Sequence, residues 1–133
     1  MKPINIFVDC QPSTITYKDG YKEGLQTRRK KPALIGWEMT LQRELEPFKP
    51  KSPLEGALYL KVEFDFKAYA DKKPYYWKQS KPDTSSMLGT LKKIMTDIGF
   101  WADDAQIVYE VCSKAYKKKP GLSIQIMTLE ERM

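Results

Sequence analysis

Apolar and polar residues alternate with a period of two in two stretches of this chain, as they do in strands that bury one face. The clearest of these stretches covers residues 57–69, and a shorter one covers residues 4–10. Two further strands are predicted over residues 106–116 and 122–128. Because only a short basic segment, residues 117–121, separates these last two strands, we expect them to form an antiparallel hairpin.

Two other stretches repeat their apolar residues at spacings of three and four, which predicts helices with one buried face. The first helix is predicted over residues 33–46. The second is predicted over about residues 86–98, with Ser85 or Ser86 as its N-cap and Gly99 as its left-handed C-terminal residue.

The order β-α-β-α-β-β predicts an α/β or α+β fold in which two helices pack on a mixed sheet. A chain of 133 residues is long enough for one domain with its own core, so we expect residues 1–133 to form a single domain. Residues 11–32 and 70–82 are predicted to be polar loops, and residues 48–56 a connector.

The charge balance suits a polyanionic partner. Lys and Arg number 23 against 17 Asp and Glu, which gives a net charge of +6 and a pI near 9.2. The chain has no His, which excludes imidazole general bases, Ser-His-Asp and Cys-His nucleophiles, and His-ligated zinc. Any catalysis would therefore rely on carboxylates, lysines or a metal ion.

Neither the cysteines nor the apolar runs indicate an exported or membrane protein. Cys10 and Cys112 lie in predicted strands and are expected to be buried free thiols of a reducing compartment. No apolar run approaches the roughly 20 residues of a membrane span. The N-terminal residues lack the features of a signal peptide. We therefore expect no membrane contact and a cytoplasmic location, in a bacterial host cell.

Three carboxylates flank the second predicted helix and are the candidates for chemistry. Asp83 precedes this helix, where its charge meets the positive end of the helix dipole. Asp103 and Asp104 follow the helix, and neighbouring carboxylates repel each other unless a cation or hydrogen bonds compensate. If folding brings all three together, they favour a divalent metal that acts on a phosphodiester. Taken singly, Asp83 could be a helix N-terminal acid and the pair an Asx turn.

Basic groups that could contact DNA lie outside the helices. Tyr75, Tyr76 and Trp77 stand among the lysines of one such group, where they could stack on unpaired bases at a branch point, or pack under the loop or at a subunit interface. The lysines at 117–119 are expected to be only a solvated hairpin tip. The predicted DNA contacts are Arg28, Arg29, Lys30, Lys31, Lys73, Lys78 and Lys81.

The segment around the second helix resembles the active-site region of the RusA family of Holliday junction resolvases. The matching residues are Lys-Pro-Asp-Thr at 81–84 and Gly-Phe-Trp-Ala-Asp-Asp-Ala-Gln-Ile-Val at 99–108. Gln-Pro-Ser at 11–13 is similar to the family's N-terminal Pro-Pro-Ser. Clear identity covers about a fifth of the chain. The resemblance implies a homodimer that binds four-way or branched DNA and nicks opposing strands with Mg²⁺.

The resemblance also implies a set of site residues and shows where this chain departs from the family. The motif Asp-x-Asp-Asn-Leu-x-Lys, with a later Asp-Asp, implies a metal site of Asp83, Asp103 and Asp104, with Asp83 and Asp104 catalytic. Serine is no charged ligand, and glycine offers no ammonium to the scissile phosphate. Lys92 and Lys93 begin about one helical turn further from the site. The departures are Ser85 for the second Asp, Ser86 for Asn and Gly89 for Lys.

Three hypotheses about function stay open. The first is a RusA-like resolvase, a structure-specific endodeoxyribonuclease whose cleavage is weakened or lost through these departures. The second is a non-catalytic dimer that holds branched DNA or RNA, and the third is a basic interaction domain without nucleic acid. Magnesium-dependent nicking separates the first from the second. Salt-dependent preference for a junction over plain duplex separates the second from the third.

Overall fold

The computed structural model describes residues 2–18, 20–23, 28–69 and 76–130, and for residues 22, 23 and 28 the backbone alone. The strands are β1 (Ile4–Val8), β2 (Tyr21–Glu23), β3 (Arg28–Lys30), β4 (Leu58–Lys67), β5 (Ile107–Lys117) and β6 (Gly121–Thr128). The helices are α1 (Pro32–Leu45) and α2 (Thr84–Ile98), and short 3₁₀ turns lie at Glu46–Phe48 and Asp104–Gln106.

Four strands form one mixed sheet in the order β1-β6-β4-β5. Strand β4 pairs parallel with β5 and antiparallel with β6, which in turn pairs antiparallel with β1. Together with the two helices, this sheet confirms the predicted α+β fold and the order of its main elements. The structure adds a separate two-stranded ribbon, β2-β3, within the segment 11–32, where the sequence predicts only a polar loop.

The predicted hairpin between β5 and β6 is wrong, because β4 lies between these strands and pairs with both. Neighbouring strands are about 4.8 Å apart, so a chain that passes over one strand must cover about 10 Å, which three extended residues can span. Residues 118–120 make this crossing. A short connection therefore does not distinguish two paired strands from two strands that flank a third.

The core lies between one face of the sheet and the two helices. Alternate residues of β4 are at most 3% exposed, and those between them are less buried, as the period of two predicts. The helices bury the apolar stripes predicted for them. Their buried apolar residues are Leu34, Trp37, Leu41 and Leu45 in α1, and Met87, Leu88, Leu91, Ile94, Met95 and Ile98 in α2.

Helix α2 connects two parallel strands, so it runs back along the sheet in the direction opposite to β4 and β5. Near its N-terminal end, Nζ of Lys114 in the second half of β5 donates to the carbonyl of Pro82 (2.7 Å). Beyond its C-terminal end, the amide of Leu54, which precedes β4, donates to the carbonyl of Phe100 (2.8 Å). The two ends of α2 therefore lie at opposite ends of the sheet.

The terminal residues of α2 agree only in part with the prediction. Asp83, rather than Ser85 or Ser86, is the N-cap. Its Oδ1 accepts a hydrogen bond from the amide of Ser86 (2.7 Å), and a charged acceptor makes a stronger bond than a serine hydroxyl would. Gly99 ends the helix in the left-handed conformation, with φ at 106°, as predicted.

The described residues include neither a disulfide nor a helix that is long and apolar enough to cross a membrane. Cys10 and Cys112 are partly buried free thiols. Burial raises the pKa of Cys10 to about 11 and that of Cys112 to about 12. Both thiols are therefore neutral at physiological pH, which makes them poor nucleophiles and poor metal ligands.

Candidate active site

Asp83 caps the N-terminus of α2, and its side chain is 52% exposed to solvent. Oδ1 accepts hydrogen bonds from the amide of Ser86 (2.7 Å) and the hydroxyl of Ser85 (3.2 Å), while Oδ2 lies 3.4 Å from Nζ of Lys18. Interactions with Ser86, first through its hydroxyl and then through its amide, hold the pKa of Asp83 well below its usual range. Asp83 is therefore an ionised, half-exposed carboxylate, which suits a cation ligand.

The two serines at the family's Asp and Asn positions are partners of Asp83. Ser85 is exposed and donates its hydroxyl to Asp83, so it offers a neutral oxygen beside the carboxylate. Ser86 is only 4% exposed and closes the cap through its amide. This end of α2 thus carries one carboxylate where the family motif has two.

Gly89 makes room for the ring of Tyr17. A Cβ on residue 89 would lie 2.7 Å from Cε1 of this ring, closer than a real Cβ approaches a neighbouring atom. The backbone of Tyr17 is held as well, because its amide donates to Oγ1 of Thr90 (3.0 Å). The segment 16–18 is thereby fixed against α2.

Sequence patterns do not identify Tyr17 and Lys18 as neighbours of the site. The hydrogen bond from Tyr17 to Thr90 joins residues that are 73 positions apart in sequence, which no local periodicity reports. The one available signal is Gly89 itself. Glycine inside a helix costs about 1 kcal/mol relative to alanine, and its presence there often has a packing reason.

Asp103 and Asp104 lie at the start of the 3₁₀ turn that leads into β5. Oδ1 of Asp103 accepts from the amide of Ala105 (2.8 Å), and Oε1 of Gln106 accepts from the amide of Asp103 (3.1 Å), which completes a capping box. Nε2 of Gln106 donates to the carbonyl of Leu54 (3.0 Å) and ties the turn to the segment before β4. Asp103 thus has the turn-forming role considered as its alternative, and Asp104 beside it is exposed.

A single chain does not bring Asp83 to Asp103 and Asp104. Asp83 caps one end of α2 and the aspartate pair follows the other, and a helix of 15 residues is about 22 Å long. Within the described ranges, no three or more carboxylates, thiols or imidazoles are grouped so that they could hold a metal ion. The prediction that folding brings these aspartates together is therefore wrong within a single chain, because the intervening helix keeps them apart.

Two of the predicted DNA contacts are engaged with other parts of the protein. Lys78 is 9% exposed, and its Nζ donates to Oγ of Ser80 (2.8 Å) and lies 5.0 Å from the ring centre of Phe66. A buried and paired ammonium is poorly placed to reach a DNA phosphate, and the DNA contact of Lys78 stays a prediction. Lys30 donates to Oε1 of Glu38 (2.9 Å), and this hydrogen bond raises the pKa of Lys30.

The other predicted DNA contacts stay predictions. Arg29, Lys31 and Lys81 are exposed. Strand β3 holds Arg29 in the short ribbon, so this basic group is more ordered than a loop. The side chain of Arg28 and the whole of Lys73 lie outside the described residues.

Tyr76 and Trp77 are 59% and 71% exposed, so they do not pack beneath the loop that carries them. Their backbone runs antiparallel to the end of β5, through a bridge between Trp77 and Ala115 and a hydrogen bond from the amide of Tyr116 to the carbonyl of Tyr76 (2.8 Å). Stacking of these two rings on DNA bases stays a prediction. Tyr75 lies outside the described residues.

Comparison with known proteins extends the resemblance from two short segments to most of the chain. The family model of endodeoxyribonuclease RusA matches residues 16–127, a range that includes Lys18, Asp83 and Asp104. A crossover junction endodeoxyribonuclease rusA from Lactococcus phage r1t is 32% identical over 89 residues, which cover 65% of this chain and 68% of the phage protein. The chain therefore belongs to the RusA family of endodeoxyribonucleases.

Proposed function

We propose that this protein is a Holliday junction resolvase, a magnesium-dependent endodeoxyribonuclease that nicks four-way or branched DNA. The family match and the name of the phage relative support this reaction. The observation that carries the proposal is Asp83, which is ionised and half-exposed at the position of the family's first motif aspartate. The net charge of +6 suits binding to a phosphate backbone.

Magnesium fits the donor set that Asp83 and Asp104 would provide. This ion takes one or two protein carboxylates and completes its octahedron with water and phosphate oxygens. Oδ1 of Asp103 is engaged in its turn, which favours Asp104 as the ligand from this pair. When bound, magnesium would activate a water molecule and neutralise charge at the scissile phosphate.

A homodimer formed through the free edge of β5, the part of its outer edge that no described residue pairs with, is part of the proposal. Strand β5 is the last strand of the sheet, and its first half exposes Val108 (64%), Tyr109 (60%) and Val111 (38%). Exposed apolar strands at a sheet edge tend to pair with another chain. The backbone of residues 76–78 already covers the second half of this edge. A second copy that pairs antiparallel with the first half, about a two-fold axis, would cover the rest.

The same pairing would complete the carboxylate site. With a two-fold axis at residues 109–110, antiparallel pairing of the first half of β5 would bring Asp104 of one protomer beside the segment 76–78 that covers residue 115 of its partner. Residue 115 lies near the N-terminal end of α2, because the adjacent Lys114 donates to the carbonyl that precedes Asp83 (2.7 Å). Each of the two sites would then combine Asp83 of one protomer with Asp104 of the other. Two sites related in this way suit the two equivalent strands of a four-way junction.

The departures from the family motif favour slow cleavage. Ser85 removes a charged ligand, and Gly89 removes an ammonium. The loss of either group is the kind of change that slows a phosphodiester hydrolysis by about 10²-fold or more. A dimer that binds branched DNA without cutting it is the second candidate for this reason, although the family match favours the nuclease.

The test uses a labelled immobile four-way junction and a matched linear duplex. Wild-type protein and Asp83→Asn are each incubated with both substrates, in magnesium and in EDTA. Paired nicks that occur only in the junction, require magnesium and disappear in Asp83→Asn are the expected result. Junction binding without nicks in the wild type would favour the second candidate, and equal affinity for the duplex would remove both.

A further inference from the structure

A small cleft lies between the segment 16–18 and the N-terminus of α2. The hydroxyl of Thr16 is buried there and has no hydrogen-bond partner among the described residues. A buried hydroxyl without a partner is unfavourable, so an oxygen ligand in the cleft would lower the free energy of this site. The cleft is lined by Thr16, Lys18, Lys81, Pro82, Asp83 and Ser86.

Lys18 reaches this cleft because the preceding residue is anchored to α2. The amide of Tyr17 is bound to Thr90 (3.0 Å), and its ring covers Gly89. From this anchor, Lys18 extends to Asp83, with Nζ 3.4 Å from Oδ2 and with 63% of the lysine side chain exposed. The ammonium is therefore positioned at the carboxylate and is still free to turn toward an anion beside it.

A lysine on residue 89 would extend toward the same end of α2. Residue 89 lies about 9 Å along the helix axis from residue 83, and helical side chains lean toward the N-terminus. A long side chain at this position would therefore extend toward the N-terminal end of α2, which Asp83 caps. The ring of Tyr17 occupies the space beside residue 89 that such a side chain would need. Lys18, the next residue, places its ammonium beside Asp83.

Two other lysines of this region, Lys92 and Lys114, already bond to other groups of the protein. Lys92 lies about one turn beyond residue 89 in α2, and its Nζ pairs with Oε1 of Glu110 (2.9 Å). Nζ of Lys114 donates to the carbonyls of Ser80 and Pro82, both at 2.7 Å. Lysines that are held in this way would have to break those bonds before they could contact a phosphate.

We infer that Lys18 is a catalytic residue of the cleavage reaction, and that its ammonium replaces the helix lysine that is absent at Gly89. This inference rests on the proposed function. In the hydrolysis, water gives its hydroxide to phosphorus and, through solvent, its proton to the leaving sugar oxygen as the bond between that oxygen and phosphorus breaks. Lys18 keeps its own proton and stabilises the charge on the non-bridging phosphate oxygens. Its ion pair with Asp83 holds the ammonium at the site before DNA binds.

The experiment measures the single-turnover rate of junction nicking in magnesium. Lys18→Ala is expected to lower this rate by about 10²-fold, and Lys18→Arg to retain most of it, because the charge is preserved. Junction affinity, measured with calcium in place of magnesium, should change much less than the rate, since one phosphate contact among many is lost. Lys49→Ala is the matched control, because Lys49 is an exposed lysine paired with Glu46, and the rate should not change.

A relocation variant tests the idea that one ammonium replaces another. Tyr17→Ala with Lys18→Ala clears the ring and removes the charge, and adding Gly89→Lys returns an ammonium from the helix side. The triple variant is expected to nick at least ten times faster than the double variant. Thermal unfolding of every variant shows whether a loss of rate reflects a loss of folded protein.

Two results would overturn the inference and leave the proposed function standing. The first is a Lys18→Ala variant that nicks at the wild-type rate. The second is a variant in which affinity and rate fall by the same factor, which would make Lys18 a DNA-docking contact. A wild-type protein that binds junctions without nicking them would instead refute the proposed cleavage and the catalytic role of Lys18 together.

Discussion

The ring of Tyr17 lies so close to the backbone of Gly89 that a Cβ on residue 89 would be 2.7 Å from Cε1 of the ring, and the ring would have to shift to admit a side chain. This contact joins the segment before α1 to the middle of α2. Its consequence is that the ring, where it stands, occupies space that a lysine on residue 89 would need. Lys18, the residue after Tyr17, instead places its Nζ 3.4 Å from Oδ2 of Asp83, which is the contact on which the proposed role of Lys18 rests.

Gly89→Ala is expected to be less favourable for stability than the same change at Gly36. A Cβ added to Gly36 in α1 would have nothing within 4 Å, so alanine there should raise the free energy of unfolding by about 0.5–1 kcal/mol. At residue 89, contact with the ring of Tyr17 opposes the same gain. Urea unfolding of both variants measures the difference.

A second substitution tests whether the ring of Tyr17 causes this difference. The ring is 46% exposed and can be removed without opening the core. In a Tyr17→Ala background, Gly89→Ala should give the full alanine gain, so the two changes are expected to be coupled. Equal stabilisation by Gly36→Ala and Gly89→Ala in the wild-type background would contradict the close packing.

Asp83 is expected to have two roles that asparagine and alanine separate. Asparagine caps a helix as well as aspartate does but carries no charge for a cation. Asp83→Asn should therefore keep most of the thermal stability at pH 7 and lose nicking, whereas Asp83→Ala should lose both. Nicking assays and unfolding midpoints for the two variants provide the comparison. Nicking by Asp83→Asn at the wild-type rate would show that the carboxylate is not a catalytic ligand.

The pH dependence of stability should also report the charge of Asp83. Its folded-state pKa is lowered, so its contribution to stability is present above the unfolded pKa, near about 3.9, and is lost as the pH falls below that value. Wild-type protein should therefore lose more stability between about pH 4 and pH 2 than Asp83→Asn does. If the thermal unfolding midpoints of the two proteins fell in parallel with pH, the charge of Asp83 would not contribute to stability in this way.

Local periodicity predicts which face of a strand or helix is buried, because residues two positions apart in a strand, or three or four apart in a helix, lie on the same face. The stripe from Leu34 to Leu45 and the alternation along β4 are both present in the structure. Periodicity does not predict which strands are neighbours. The insertion of β4 between β5 and β6 depends on a segment about fifty residues earlier in the chain, which the short connection at 118–120 does not report.

The residues of the candidate site also differ in whether local sequence or long-range packing identifies them. Asp83 and Asp104 are found from a motif, since each is recognised by its immediate neighbours in sequence. Their separation is already implied by the predicted helix over 86–98, whose thirteen residues alone span about 20 Å. This separation is the basis for the proposal that Asp83 and Asp104 of one site belong to different protomers. Lys18 has no sequence signal of its own apart from the glycine at residue 89, because its position depends on Tyr17 packing against that distant residue.

Lys78→Ala and Lys81→Ala are expected to change different quantities. Lys78 is buried between Ser80 and Phe66, so its loss should lower the free energy of unfolding by about 1–3 kcal/mol. Lys81 is exposed beside Asp83, so its loss should weaken junction binding and reduce the salt dependence by about one counterion. Urea unfolding and binding at several salt concentrations measure the two effects. Unchanged stability with lost binding in Lys78→Ala would instead assign Lys78 to the DNA surface.

Mixing two inactive variants is expected to restore nicking if each site is shared between protomers. After subunits exchange between Asp83→Asn and Asp104→Asn dimers, one site of a mixed dimer carries both substitutions and the other carries neither. If each site belonged to a single chain, every site would carry one substitution and the mixture would stay inactive. The matched control mixes Asp83→Asn with the double variant, which leaves no intact site under either arrangement. Single nicks from the first mixture and none from the control would therefore locate Asp83 and Asp104 of one site on different protomers, across the free edge of β5.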